Sequence, residues 1–316
     1  LYTEGEDHWQ KLCERDDLDL IIVTTPWYMH APMAVYAMNH GKHVASEVPA
    51  AGSIDECWQL VEASERNRTH CVIMENYAYM TFQLLTLNMA RHGCFGEIVH
   101  GDGAYNTSKI RRNFLRENYW NMWWLEKYAQ RRGNIYPTHG LGPICQIMDI
   151  NRGDRLDYLV SIESDDFVMC PKAAELAETD PFFKPYAEKK YRGTMNVTTI
   201  RTRRGRTIQI QHDPATPSPH NLIHGIYGTE GAALFDPPPP RLAQGNHKWA
   251  THEEYEKLEQ QYTQAITHQM REHARHSGHG GSDIQLAWRL IDCLRLGLPV
   301  DFDVYDAAAW SSIVPL

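Results

Sequence analysis

The first part of the chain alternates apolar, strand-like runs with helical segments. Residues 18–24 form an apolar, β-branched run, which is typical of a strand covered on both faces. Two further strands are predicted at residues 42–47 and 71–76, and helices at residues 31–39 and 54–68. Because this alternation indicates a parallel sheet, we predict an α/β fold that begins with an incomplete, Rossmann-like, doubly wound parallel sheet.

The carboxyl ends of these strands are the first candidates for a ligand site. Open α/β sheets bind their ligands at these ends, which here correspond to residues 25–30, 47–49 and 76–79. A sheet of this kind suggests a nucleotide as the ligand. The three loops are therefore predicted to lie at one binding edge.

The glycine turn that usually accompanies such a site is not found in the sequence. No G-x-G-x-x-G follows a first strand, and the pairs Gly101-x-Gly103 and Gly140-x-Gly142 lack the third glycine. We expect the first strand and its glycine turn to lie upstream of Leu1, in a longer parent polypeptide.

From residue 97 onward the pattern changes to that of a second, α+β domain with a largely antiparallel sheet. Arg203-Arg204-Gly205 separates two strand-like runs, which is a hairpin signal. We predict strands at 97–105, 195–202, 206–212, 220–227 and 232–235, a long loop at 106–132, and helices at 253–276 and 283–297. The predicted domains are residues 1–95 and residues 96–316.

Composition excludes several function classes. Among 316 residues, 31 Lys and Arg stand against 40 Asp and Glu, giving a formal net charge of −9, which argues against nucleic acid as a partner. No apolar run approaches the length of about 18 residues needed to span a membrane. The seven cysteines form no C-x-x-C pair, so neither a disulfide framework nor a zinc knuckle is predicted.

His139 and Tyr136 are candidates for proton transfer. Histidine is suited to proton transfer near neutral pH, and a nearby phenol supplies a second donor. In the other interpretation, His139 only caps a helix and Tyr136 only packs. Because glycines stand near His139, at Gly140 and Gly142, a ligand could approach closely, and this favours the functional interpretation.

Three histidines at three-residue spacing raise the question of a metal site. His273, His276 and His279 precede Gly280-Gly281, and imidazoles are common metal ligands. The stretch leaves a helix at this point, so a shared face is not assured. We predict a solvated helix end and no metal.

Two further features have alternative interpretations. The tryptophans at positions 120, 123 and 124 could stack on a sugar ring or anchor a long loop. Glu47, at a strand end, could be a catalytic carboxylate or could accept hydrogen bonds from a ribose. The residues alone leave both alternatives open.

Four segments carry a resemblance to a known family. They are TPWYMHAP at 25–32, GKHVASEVP at 41–49, YPTHG at 136–140 and GHGG at 278–281. With these motifs the chain resembles glycoside hydrolase family 109, which comprises NAD-dependent α-N-acetylgalactosaminidases within the glucose-fructose oxidoreductase and inositol dehydrogenase superfamily. The wider superfamily carries a lysine in Glu-Lys-Pro, whereas this chain has Val48, as the hydrolase branch does.

The resemblance implies a glycosidase that uses NAD. In the family mechanism NAD takes a hydride from C3 of the sugar, a base removes the C2 proton, and the aglycone leaves by elimination. Water then adds, and the returned hydride restores the alcohol. The alternatives are a sugar dehydrogenase of the same superfamily and an inactive fragment or sugar-binding remnant.

The resemblance also assigns residues. The predicted NAD contacts are Trp27, Tyr28, Met29, His30, Glu47, Val48, Asn76, Tyr136, Pro137, Thr138 and His139. The predicted catalytic residues are Tyr105, Tyr136 and His139, of which Tyr105 and His139 would share the proton transfers at C2 and C3.

Substrate contacts are predicted at Tyr105, Trp124, Tyr136 and His220. Two of these depart from the family pattern, because Trp124 stands where the family tends to have an arginine and His220 where it has a tyrosine. We expect a small-molecule or glycan substrate whose sugar differs from the family's usual one. A homodimer through the antiparallel sheet is expected by analogy with the superfamily, and the compartment is left open because family members are often exported.

Overall fold

The computed structural model describes residues 4–5, 7–117, 121–245, 247–274 and 277–316. The chain forms two units, the first made of residues 1–89, 149–153 and 257–316 and the second of residues 90–148 and 154–256. A single boundary after residue 95 stays a prediction. Residues 257–316, which the sequence assigns to the second domain, group with the first unit.

The helices and strands have the following bounds. The strands are β1 (Leu20–Val23), β2 (His43–Ser46), β3 (Cys71–Ile73), β4 (Ile98–Asn106), β5 (Leu156–Glu163), β6 (Asn196–Thr202), β7 (Thr207–Asp213), β8 (His224–Gly228), β9 (Gly231–Phe235) and β10 (Arg241–Gln244). The helices are α1 (Trp9–Cys13), α2 (His30–Asn39), α3 (Ile54–Asn67), α4 (Thr81–Arg91), α5 (Ile110–Asn113), α6 (Trp123–Gln130), α7 (Thr138–Ile147), α8 (Met169–Thr179), α9 (Lys184–Ala187), α10 (His252–Tyr262), α11 (Ala265–Ala274), α12 (Ser282–Leu296) and α13 (Val304–Ser311).

The first unit contains the predicted parallel sheet, in the order β1-β2-β3. The prediction of an α/β, Rossmann-like sheet is confirmed. Each strand is shorter than predicted because its last predicted residues already belong to the loop at the carboxyl end of the sheet. The predicted helices at 31–39 and 54–68 correspond to α2 and α3.

A buried carboxylate ties the separate segments of the first unit together. Asp306 is fully buried in the first turn of α13, where it forms a capping box with Asp303. The Arg152 guanidinium donates to the Asp306 carboxylate, with Nη2 and Oδ2 2.6 Å apart. Residues 149–153 and the end of the chain are thereby linked within one unit.

Two predicted elements are wrong in their extent. The helix predicted at 253–276 is two helices, α10 and α11, and at the break the Thr263 hydroxyl donates to the Glu259 carbonyl while the Gln264 amide donates to the Leu84 carbonyl. The loop predicted at 106–132 contains α5 and α6. Helix α6 buries Trp124 and Tyr128, which are four residues apart and therefore lie on one helix face.

The second unit contains a seven-stranded mixed sheet in the order β10-β9-β8-β4-β7-β6-β5. Its neighbouring strands are antiparallel except for β4 and β7, which are parallel. The predicted hairpin at residues 203–205 is confirmed, since Arg201 pairs with Thr207 across it. Within the described residues, no helix is long and apolar enough to cross a bilayer.

Helix α7 lies unusually close to strand β4. Gly101, Gly103 and Tyr105 alternate along β4 and therefore point to the same face. A Cβ on Gly103 would lie 2.0 Å from the Gly140 carbonyl oxygen, and one on Gly101 would lie 2.5 Å from the Ile144 side chain. Only glycine permits this approach, because contacts this short are well inside van der Waals distance.

We predict that Gly103→Ala destabilises the second unit strongly. The new methyl group must displace backbone atoms of α7, and overpacking of this kind costs roughly 1–3 kcal/mol or more of unfolding free energy. Urea unfolding measures the loss. The control is Val99→Ala on the same strand, whose side chain is exposed and whose truncation should change stability little. Equal stability of the two variants would contradict the close approach.

Candidate active site

In the first unit, His30 joins two of the loops predicted to form the binding edge. The imidazole is buried, and its Nδ1 and Nε2 lie 2.7 Å from the carbonyl oxygens of Pro49 and Thr25, respectively. Burial lowers the pKa of His30. A neutral imidazole donates to one of these carbonyls at a time, so its ring packs between the loop after β1 and the loop after β2. Its predicted contact with NAD stays a prediction.

Asn76 follows β3 and is tied to the glycine-rich segment near the end of the chain. Its side-chain amide donates to Asp283, with Nδ2 and Oδ1 2.5 Å apart, and the other oxygen of Asp283 lies 2.8 Å from Nδ1 of His279. The structure thus brings together two motifs that are about two hundred residues apart in the sequence.

The remaining cofactor candidates of the first unit also lie where the parallel strands end. The Glu47 amide donates to the Val23 carbonyl at 2.9 Å, and Val48 is buried behind it. Trp27 and Tyr28 form a short 3-10 helix after β1, with the Tyr28 side chain exposed. A carboxylate at the end of β2 can accept hydrogen bonds from ribose hydroxyls, so these residues fit a dinucleotide.

In the second unit, three predicted catalytic residues form one ring cluster. The ring centroids of Tyr105 and His139 are 4.8 Å apart, those of Tyr136 and His139 are 4.8 Å apart, and those of Tyr105 and Tyr136 are 5.1 Å apart. Two phenols and an imidazole in mutual contact can donate, accept and exchange protons.

The close approach of α7 to β4 creates this cluster. Tyr105 follows Gly103 on the same face of β4, and His139 precedes Gly140 in the first turn of α7. The sequence interpretation that Gly140 leaves room for a ligand is wrong, because its backbone is packed against that of residues 103 and 104. The glycine instead positions His139 beside the tyrosine.

Both residues that depart from the family pattern lie at the cluster. Trp124 is buried, with its ring centroid 5.6 Å from that of Tyr136. The exposed His220 lies 6.1 Å from Tyr105, centroid to centroid, and its Nδ1 contacts the Thr107 hydroxyl. Of the three predicted tryptophans, Trp123 packs on Trp124, and Trp120 lies outside the described residues.

Two residues of the cluster were not predicted. The Lys109 ammonium lies 5.7 Å from the centroid of the Tyr105 ring, in the geometry of a cation–π contact. The pKa of Lys109 is lowered, first by burial and second by the positive charge of the nearby Arg112. His212 on β7 is the register partner of Tyr105, and the two rings are nearly parallel with centroids 6.1 Å apart. His212 lies at an inward-facing position of β7. A histidine at such a position is the sequence signal that could have identified it.

The three histidines considered as metal ligands do not come together as a site in the described residues. His279 pairs with Asp283, His273 lies in α11, and His276 lies outside the described residues. Among the described side chains, no group of three or more histidines, cysteines or carboxylates is placed to hold a metal ion.

Comparisons with known proteins match two consecutive stretches of the chain to families. Residues 79–316 match the family "Glycosyl hydrolase 109, C-terminal domain", and residues 2–77 match "Oxidoreductase family, NAD-binding Rossmann fold". The chain belongs to glycoside hydrolase family 109. It is therefore a glycosidase with NAD as its cofactor, as the resemblance predicts.

Named relatives and solved structures agree with this assignment. The chain is 44% identical to an α-N-acetylgalactosaminidase of Bacteroides fragilis, with 100% of this chain and 75% of the relative covered. It is 40% identical to one from Shewanella oneidensis, covering 99% and 69%.

The fold of this family 109 glycosidase is shared with oxidoreductases. An NAD-binding oxidoreductase from Klebsiella pneumoniae matches at a TM-score of 0.74 and 16% identity, covering 98% of this chain and 79% of the other. A levoglucosan dehydrogenase in complex with NADH and levoglucosan matches at 0.72 and 17%, with the same coverage. At these identities the matches show the fold alone.

Buried histidines give the glycosidase a pH-dependent stability. Burial lowers the pKa of His30, takes that of His212 well below its ordinary value, and lowers that of His224 on β8 to about 3. In the folded protein these three rings are therefore neutral at pH 7. Below pH 6.5 these histidines bind protons in the unfolded chain but stay neutral in the folded protein.

We predict that the free energy of unfolding falls as the pH drops below about 6.5, by up to about 1.4 kcal/mol per pH unit for each such histidine. His224→Gln should make the dependence shallower, whereas His247→Gln, at an exposed position, should leave it unchanged. Urea unfolding between pH 7.5 and 5.5 measures the slope. An identical slope in wild type and His224→Gln would contradict the prediction.

Proposed function

We propose that this protein hydrolyses α-N-acetylgalactosaminides, or glycosides of a related hexose, through transient oxidation at C3 of the sugar. The observation that carries the proposal is the contact between Tyr105, Tyr136 and His139. The cluster is built from phenols and an imidazole, whereas glycosidases that act by direct displacement use a pair of carboxylates. Such a cluster suits removal and return of protons at sugar carbons and hydroxyls.

The NAD-binding residues proposed for the first unit are Trp27, Tyr28, Met29, His30, Glu47, Val48 and Asn76, and those proposed for the second are Tyr136, Pro137, Thr138 and His139. NAD supplies a reversible hydride acceptor, so that no net oxidation accompanies hydrolysis. Glu47 would accept hydrogen bonds from a ribose, while His30 holds the surrounding loops in place through the carbonyls of Thr25 and Pro49.

Tyr105 and His139 are proposed to share two proton transfers, one at the C3 hydroxyl and one at C2. Tyr136 contacts both rings and is the third candidate. A phenol acts as a base only where a positive charge stabilises its anion, and Lys109 places an ammonium group 5.7 Å from the Tyr105 ring centroid. Lys109 is the cation proposed to stabilise the phenolate of Tyr105.

Two observations bear on the substrate. Val48 occupies the position where dehydrogenases of the superfamily carry a lysine, and this favours hydrolysis over net sugar oxidation. Trp124 offers a flat ring where the family tends to have an arginine, so that stacking replaces directional hydrogen bonds. We therefore propose a sugar preference that differs from that of family members with the arginine.

The decisive experiment measures aglycone release and NADH absorbance together, using chromogenic α- and β-hexosaminides and hexosides, with and without added NAD. We expect NAD-dependent release without accumulation of NADH, and the preferred sugar will report the effect of Trp124 and His220. Stoichiometric NADH without release would establish the dehydrogenase alternative. If neither aglycone release nor NADH formation is detected, the result would favour the alternative of an inactive fragment or sugar-binding remnant.

Variants of the cluster serve as the matched controls of that assay. His139→Asn and Tyr105→Phe should each lower kcat by roughly 10²- to 10⁴-fold, the usual contribution of a general acid or base. Tyr305→Phe, at an exposed ring of the first unit outside the proposed site, should leave kcat nearly unchanged. Full activity in both cluster variants would refute the proposed proton transfers.

We further propose that the protein forms a homodimer through the open face of its mixed sheet. Tyr158, Val160 and Ile162 alternate on one face of β5 and are 59%, 58% and 70% exposed, which is unusual for three apolar side chains in a row. Sedimentation velocity should show a dimer that Val160→Glu dissociates. A monomeric wild type would contradict this arrangement.

A further inference from the structure

His212 is a buried imidazole with one nitrogen in use and one without a partner. The side chain is only 1% exposed. Its Nδ1 lies 3.0 Å from the carbonyl oxygen of Tyr105, and because a carbonyl only accepts, Nδ1 carries the proton. Within the described residues, Nε2 has no hydrogen-bond partner although it is buried.

This tautomer makes Nε2 an acceptor. Burial, with the nearby Arg192 as a second cause, takes the pKa of His212 well below its ordinary value, so that the ring is neutral and Nε2 presents a lone pair. Buried acceptors are nearly always satisfied in folded proteins. An acceptor without a partner at this position therefore needs an explanation.

The surroundings of His212 belong to the ring cluster. Its ring is nearly parallel to that of Tyr105 and lies 6.2 Å from that of Tyr136, centroid to centroid. His139 and Lys109 are close enough to act on it electrostatically. The Arg192 guanidinium donates through Nη2 to the backbone carbonyl of His212, with the two atoms 3.3 Å apart.

We propose that Nε2 of His212 accepts a hydrogen bond from an uncharged O–H or N–H group of the bound sugar, and thereby acts as a specificity-determining residue. The inference rests on the proposed function, since the ligand is taken to be a hexose or hexosamine. A neutral acceptor at this position selects a hydroxyl or an acetamido N–H and rejects a carboxylate or carbonyl oxygen, whose lone pairs would face that of Nε2.

Two substitutions distinguish the role of Nδ1 from that of Nε2. His212→Asn carries an amide nitrogen as many bonds from the backbone as Nδ1, so it keeps the donor to Tyr105 and removes the acceptor. His212→Gln carries an amide oxygen at the level of Nε2, so it keeps an acceptor and removes the donor. A role in folding depends on the Nδ1 contact, whereas the proposed sugar contact depends on Nε2.

Calorimetric binding to the NAD-loaded full chain provides the test, with N-acetylgalactosamine, galactose and monodeoxygalactoses as probes. We expect His212→Asn to bind the preferred sugar roughly 2- to 10-fold more weakly than wild type, the range for one neutral hydrogen bond, and His212→Gln to bind close to wild type. One deoxy sugar should lose affinity for wild type but not for His212→Asn, which identifies the donor group. Equal effects of the two substitutions would overturn the proposal.

A measurement on the wild type keeps the test independent of folding. The ¹⁵N resonance of Nε2 of His212 should report an unprotonated nitrogen in the free protein and should shift when the preferred sugar binds. A resonance unmoved by a sugar that calorimetry shows to bind would overturn the role of His212 alone. Failure of wild type to bind every probe would overturn both this role and the proposed function.

Discussion

The contact between the backbones of α7 and β4 is the interaction on which the ring cluster depends. Without a Cβ on Gly103 or Gly140, the first turn of the helix reaches the strand itself. Tyr105 lies two residues after Gly103, and His139 lies one residue before Gly140, so the two side chains are held in mutual contact. Both side chains are already in position before a ligand binds, and the site is preorganised in this sense.

Two cations, Lys109 and Arg192, lie near the His212 ring. The ammonium of Lys109 and the guanidinium of Arg192 are both at least half-buried, and burial lowers the pKa of each. His212 remains neutral beside them because protonation would place a further positive charge in the same low-dielectric region. The His212 ring is therefore neutral, with its Nδ1 proton directed at the Tyr105 carbonyl and a lone pair on Nε2.

Much of the fold could be predicted from the sequence because its signals are local. The alternating pattern of residues 18–76 and the hairpin at 203–205 rest on short-range preferences, and both are found in the structure. From the sequence, Gly101 and Gly103 are part of an incomplete nucleotide motif, and Gly140 is interpreted as leaving room for a ligand. In the structure all three lie at a contact between segments about forty residues apart, which no local pattern encodes.

One part of the candidate site could be predicted from the sequence, and another part could not. Tyr105, Tyr136 and His139 were selected by resemblance, and the structure places them in one cluster. Lys109 and His212 belong to no short motif, because their proximity to Tyr105 depends on how a loop leaves β4 and on which strand pairs beside it. The break after Tyr262 was missed for a similar reason, since the Gln264 side chain there bonds to backbone that is distant in sequence, at Leu84.

The order in which the first unit is assembled follows from its three separate segments. Arg152 and Asp306 meet within that unit although the whole of residues 154–256 lies between its second and third segments. During synthesis, which proceeds from the N-terminus, the strands of the mixed sheet are all present before α12 and α13 exist. The first unit is therefore complete only after the last sixty residues have been synthesised. Until then its parallel sheet exposes apolar surface that the final helices later cover, while the second unit is already able to fold.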